Sequence, residues 1–96
     1  MTRRQALAEA RRRWGQRGAV ELDATHSLPA YRCRVGYLRQ DGRLDRRGHG
    51  ETWAAAFADA DALASRLKAR IAETEAARVI ARELDRHARV AERRNR

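Results

Sequence analysis

Residues 31–53 read YRCRVGYLRQDGRLDRRGHGETW, and their first part, Tyr31 to Arg47, decides the fold. Tyr31, Cys33, Val35 and Tyr37 alternate with Arg32, Arg34, Gly36 and Leu38, the two-residue period of a half-buried strand with one basic face. Asp41-Gly42 marks a hairpin turn, since this pair accepts the positive φ that tight turns demand. Arg43 to Arg47 is then the returning strand, with Leu44 its one large apolar residue. Gly48-His49-Gly50 breaks the pattern, and Thr52 is the N-cap of a second helix.

Beyond Thr52 the chain holds neither Gly nor Pro. Trp53, Ala56, Phe57, Ala60, Leu63, Ala64, Leu67 and Ile71 recur at helical spacing. The stripe continues, displaced around Thr74, through Ala77, Ile80, Leu84, His87 and Ala91. A straight helix over this stretch spans roughly 65 Å, against a radius of gyration of about 12–13 Å for a globule of this length. Two outcomes satisfy that mismatch: a bend or break near residues 73–75, or pairing of the C-terminal half with another chain. The domain reading is a compact unit over 1–72 and a helical extension with a basic tail over 73–96.

Upstream of the hairpin, Thr2 and Gln5 have capping-box spacing, and Thr2 to Trp14 reads as a helix. Leu7, Ala10 and Trp14 form its apolar stripe, and Gly15 and Gly18 end it. Ala19 to Asp23 is a short strand with Val20 and Leu22 inward, and Ala24 to Pro29 is a loop. The expected class is α+β: an N-terminal helix, a three-stranded antiparallel sheet and a long C-terminal helix.

Composition narrows the function. Of 22 Lys+Arg, 21 are Arg, set against 13 Asp+Glu, for a net charge of +9. The Arg-for-Lys bias reflects a GC-rich coding style, but the net excess favours polyanionic partners. Alanine supplies 20 residues and aromatics are few, so the core needs closely approaching helices or a partner chain. Cys33 is alone, which excludes an internal disulfide. The chain opens on Met1-Thr2-Arg3-Arg4 without an apolar leader, and nothing approaches the roughly 20 apolar residues of a membrane span. No membrane contact and a cytoplasmic location are expected.

The element order, with Leu7-Ala8-Glu9, Gly15, and Gly48-His49-Gly50-Glu51-Thr52 leading into an Ala-rich helix through Leu63, resembles the double-stranded-RNA-binding domain. The resemblance covers about residues 4–67. It implies an α-β-β-β-α fold and recognition of duplex RNA by shape. Where the family carries its clustered lysines, this sequence has Trp53-Ala54-Ala55-Ala56-Phe57.

No residue pattern supports catalysis, a metal or a cofactor. His26, His49, His87 and Cys33 lack close ligand spacing, and Asp59 and Asp61 point to different helix faces. Binding residues stand out instead. Arg32 and Arg34 with Arg43 and Arg47 form a basic strand face whose like charges call for a counter-anion. Arg46, Arg47 and His49 precede a helix N-terminus at Thr52, a natural phosphate site. Arg12 and Arg13 belong to a second cluster with Arg3, Arg4 and Arg11. Trp14 and Trp53 open or close apolar stripes and read as core. Val79, Ile80, Leu84 and Val90 read as a dimer seam or a groove-docking face.

The leading functional expectation is a non-catalytic module binding RNA, DNA or a nucleoprotein surface through arginines. The alternative is a protein–protein inhibitor acting on one host complex, in the style of the small Arg-rich chains of phages and mobile elements, anti-CRISPR proteins among them. A homodimer through the C-terminal helix is compatible with both.

Overall fold

The Thr2 hydroxyl accepts the Gln5 N–H at 3.2 Å, and Gln5 Oε1 accepts the Thr2 N–H at 2.8 Å. This reciprocal cap starts helix α1, Arg3–Trp14. A computed structural model describes the backbone of residues 1–94 and the side chains of residues 1–89. Gly15, with φ of 80°, closes α1 and begins a short 3-10 turn, Gly15–Arg17. Strands β1 (Gly18–Leu22), β2 (Cys33–Leu38) and β3 (Leu44–Gly50) come next, then helix α2, Trp53–Arg94. The sheet is antiparallel in the order β1-β2-β3, so the class is α+β as the sequence implies.

Three expectations change in detail. Tyr31 lies in a 3-10 turn, Pro29–Tyr31, because the fixed φ of Pro29 suits the first position of a turn; β2 begins only at Cys33. Leu22 shares the face of Val20 but sits at the end of an edge strand and stays exposed. The third and largest change is in β3, which does not stop at Arg47 but runs on through Gly48-His49-Gly50.

The reason is packing. A Cβ on Gly48 would meet the Ala56 carbonyl and lie 2.6 Å from the Ala60 amide nitrogen, and one on Gly50 would lie 2.7 Å from the Ala56 nitrogen. These glycines are strand residues flattened so that α2 can lie on them. Gly18 does the same for α1, where a Cβ would come 2.6 Å from the Arg11 nitrogen. The helix surfaces that meet them are equally small: Ala6 and Ala10 on α1, Ala56 and Ala60 on α2, all buried. A chain poor in large side chains thus reaches core density by bringing backbones together. Leu7 and Trp14, expected in the α1 stripe, pack half-buried against the core, while the fully buried line is Ala6 and Ala10.

Val20, Cys33, Val35, Trp53 and Phe57 complete the core, with Trp14 stacked on Phe57 at 6.2 Å. Thr52 caps α2 by accepting the Ala55 N–H at 3.1 Å. The helix continues unbroken through residues 73–75. The chain divides into two units, Met1–Ala64 and Ser65–Arg96, where the sequence reading places the boundary at 72/73. Among the described residues no helix is long and apolar enough to cross a membrane.

Candidate functional site

Helix α1 and the first turns of α2, Trp53 to Ala60, lie on one face of the sheet, where Gly18, Val20, Cys33, Val35, Gly48 and Gly50 meet them. Strand alternation puts the intervening residues on the other, open face. There Glu21 pairs with Arg34, and Arg34 with His49; Ala19 pairs with Gly36, and Gly36 with Arg46; Leu38 pairs with Leu44. The register slips between Val35 and Gly36: Val35 faces Gly48 while Gly36 faces Arg46, so Arg47 is the extra residue of a β-bulge.

A depression of about 630 Å³ opens on this face, lined chiefly by Glu21, Arg34, Arg39, Arg43, Leu44 and Arg46. Gly36 is the small residue between these larger neighbours, and it has no room for a side chain because a Cβ would strike the Asp45 carbonyl. The hairpin turn brings Arg39 and Arg43 together: the Arg39 N–H donates to the Arg43 carbonyl at 2.8 Å, and Asp41 Oδ1 accepts the Arg43 N–H. Gly42 takes the positive φ, 81°, that the turn requires.

The charges are only partly answered. Arg34 lies 3.6 Å from Glu21 and 3.8 Å from Asp23, and its buried Nε has no hydrogen-bond partner. Arg39 lies 3.7 Å from Asp45. Among the described residues no carboxylate oxygen comes within 4.0 Å of the Arg43 or Arg46 guanidinium group. Arg46 instead covers the Tyr31 ring at 5.4 Å, and Tyr31 stacks on His49 at 4.3 Å with His26 at 5.6 Å.

The residues expected to bind therefore separate into groups. Arg34, Arg43 and Arg46 share the depression. Arg47 does not: the bulge turns it to the other face, where it donates to Tyr37 Oη at 2.5 Å and lies 3.5 Å from Asp45. The Tyr37 hydrogen bond raises its pKa. Arg32 donates to the His26 carbonyl at 3.2 Å. The four-arginine strand face expected from simple alternation is thus replaced by Arg34, Arg39, Arg43 and Arg46.

The expected anion site before α2 is also not assembled. The His49 N–H donates to Asp59 Oδ2 at 2.9 Å, and its ring Nδ1 lies 2.8 Å from the Ala30 carbonyl. Asp59 thereby occupies a half-buried strand-edge donor that an anion would otherwise satisfy. Thr52 is engaged as the helix cap.

On α1, Arg12 and Arg13 are held by Glu9 at 2.5 and 2.8 Å, and Arg13 by Asp61 at 2.5 Å. Hydrogen bonds from both arginines pull the Glu9 carboxyl from 4.5 to about 2. This pair is structural: Arg13 also lies over Phe57 at 4.8 Å and ties α1 to the start of α2. Val79, Ile80 and Leu84 are exposed; the Val90 side chain lies outside the described residues. No group of three or more His, Cys, Asp or Glu residues is placed to hold a metal among the described residues.

Arg39, Asp59 and Tyr31 are missed by the sequence reading. Arg39 was accessible to it, since the Asp41-Gly42 turn places its two flanking arginines side by side. No family model, curated protein or solved structure matches the chain.

Proposed function

We propose that the protein binds nucleic acid without catalysis, gripping phosphates in the arginine-lined depression on the open sheet face. The observation that carries this reading is the pair Arg43 and Arg46, which share a concave site with Arg34, Arg39, Glu21 and Asp45 and whose guanidinium groups have no carboxylate within 4.0 Å among the described residues. Guanidinium groups present planar donor forks that match phosphate oxygens in two-point contacts. Converging arginines repel one another, and a bound polyanion relieves that repulsion. The net charge of +9 adds long-range attraction that falls with salt.

The α-β-β-β-α order resembles that of the double-stranded-RNA-binding domain, and in this reading the nucleic-acid contact is relocated. The start of α2, where that family grips phosphates, here gives Trp53, Ala56 and Phe57 to the core. In this reading the work passes to the opposite face of the sheet.

The test is fluorescence anisotropy with duplex RNA, duplex DNA and single strands, comparing the native chain with Arg43→Glu/Arg46→Glu and with Arg12→Glu. The double variant is expected to bind at least ~100-fold more weakly, since each charge-assisted contact contributes about 1.5–3 kcal/mol. Arg12→Glu should change affinity by less than about threefold. Equal losses in both variants, or none in either, would remove the depression from consideration and leave a protein partner as the better reading.

A further inference from the structure

The core takes its large aromatics from the helices: Trp53 and Phe57 are buried, and Trp14 stacks on Phe57. A second aromatic group stands outside it. Tyr31 lies against His49 with ring centroids 4.3 Å apart and planes within 12° of parallel, and His26 tilts against Tyr31 at 5.6 Å. Arg46 and His49 both stem from the open face of β3, and Tyr31 touches both. The ring group therefore borders the arginine depression, which Arg46 also lines. All three rings are half-buried.

Backbone contacts fix where these rings stand. The His49 ring Nδ1 lies 2.8 Å from the Ala30 carbonyl, and the Tyr31 N–H donates to the Leu28 carbonyl at 3.0 Å. Arg32 Nε donates to the His26 carbonyl at 3.2 Å, and His26 Nδ1 accepts the Leu28 N–H at 3.0 Å. Rings held this way are in place before a ligand arrives, so stacking on them costs little ordering entropy.

On the reading that the depression grips phosphates, we propose that Tyr31 stacks an unpaired base, so that the ligand is single-stranded nucleic acid. Arg46 joins the two halves of the site. It is exposed, and its guanidinium rests over the Tyr31 ring, 5.4 Å from the centroid. Among the described residues no carboxylate holds it within 4.0 Å. A cation over an exposed ring is weakly held, and a nucleic-acid base offers the ring a larger stacked face. The base takes the place of the guanidinium, which turns to the adjacent phosphate and gains a charge-assisted hydrogen bond there. A duplex does not supply that base, because its paired bases are already stacked on both faces, whereas the bases of single strands are free to splay onto side chains. A charged groove beside a stacking ring is the combination that holds single strands without sequence preference.

Fluorescence anisotropy at about 50 mM salt, where phosphate contacts are strong, tests this with three labelled probes of about 12 nucleotides, within the span of single-strand sites. They are oligothymidylate, an abasic strand of equal length, and the thymidine strand paired to its complement. The native chain is expected to hold oligothymidylate at least ~5-fold more tightly than the abasic strand, the lower end of what one stacked base contributes. Tyr31→Leu should bring that ratio to about one by weakening the thymidine strand alone, and Tyr31→Phe, which keeps the ring, should retain it. Loss of fold lowers both affinities together and leaves their ratio at the native value, so the ratio reads the ring. Equal native affinities for the two strands, both weakened by Arg43→Glu/Arg46→Glu, overturn base stacking and leave the phosphate grip standing. A native ratio preserved in Tyr31→Leu overturns it too, as does tighter binding of the duplex than of the thymidine strand. Absence of binding to every probe removes the phosphate grip and the stacked base together.

Discussion

The two faces of the one small sheet obey opposite rules. On the covered face, side chains are removed wherever a helix must approach: Gly18 under Ala10, Gly48 under Ala56 and Ala60. On the open face, long charged side chains are gathered around Gly36. Size decides the first face and charge the second. The difference teaches that glycine in a strand has two uses here, admitting a helix on one side and, beside a bulge, admitting a displaced carbonyl on the other.

The sharpest way to break the covered face is Gly48→Val. The new side chain collides with backbone atoms of Ala56 and Ala60, which cannot rotate away, so a loss of about 3 kcal/mol or more is expected from overpacking, a large part of the 5–15 kcal/mol that holds a domain. Urea unfolding monitored by tryptophan fluorescence measures it. Gly36→Ala attacks the open face through the Asp45 carbonyl, and because an edge strand can shift, a smaller loss of about 1–2 kcal/mol is expected in the same assay.

Arg43→Ala/Arg46→Ala sharpens the contrast from the other side. Stability should change by less than about 1 kcal/mol, because neither guanidinium has a carboxylate to lose and the contact of Arg46 with the Tyr31 ring contributes only about 0.5–1 kcal/mol. A stability loss as large as that of Gly36→Ala would mean that these arginines hold the sheet rather than a ligand.

The smallest effect concerns acid. The Glu9 carboxyl is depressed to about 2 in the folded chain from 4.5, so its contribution is fully present above about 4.5 and is lost as pH falls through about 2. Glu9→Gln should flatten that limb of the stability–pH curve and leave the neutral region nearly unchanged; an identical acid limb in the variant would assign the loss to other carboxylates.

Much of the architecture is legible in the residues themselves. The cap at Thr2, the Asp41-Gly42 turn and the uninterrupted helix after Trp53 each rest on local chemistry, and each appears where local chemistry puts it. The end of β3 is not legible, because Gly48 and Gly50 look like punctuation until Ala56 and Ala60 are laid over them, and that contact spans distant positions. The bulge at Arg47 misdirects the reading of the site for a related reason. Period-two alternation assigns Arg47 to the face of Arg43, and one extra residue hands that place to Arg46. Likewise, charge alone cannot separate Arg12 and Arg13, whose fork is closed on Glu9 and Asp61, from Arg43 and Arg46, whose forks are open.

The salt dependence of binding tests the open face most directly. The affinity of the native chain and of Arg43→Ala/Arg46→Ala for one nucleic acid would be measured between about 50 and 200 mM salt, where each phosphate contact on duplex DNA contributes a logarithmic slope near 0.9. The account predicts weaker binding by the variant at every salt concentration and a slope shallower by about 1.8, two phosphate contacts fewer. Equal slopes and equal affinities would contradict it, and would mean that the arginines of the depression do not meet phosphate.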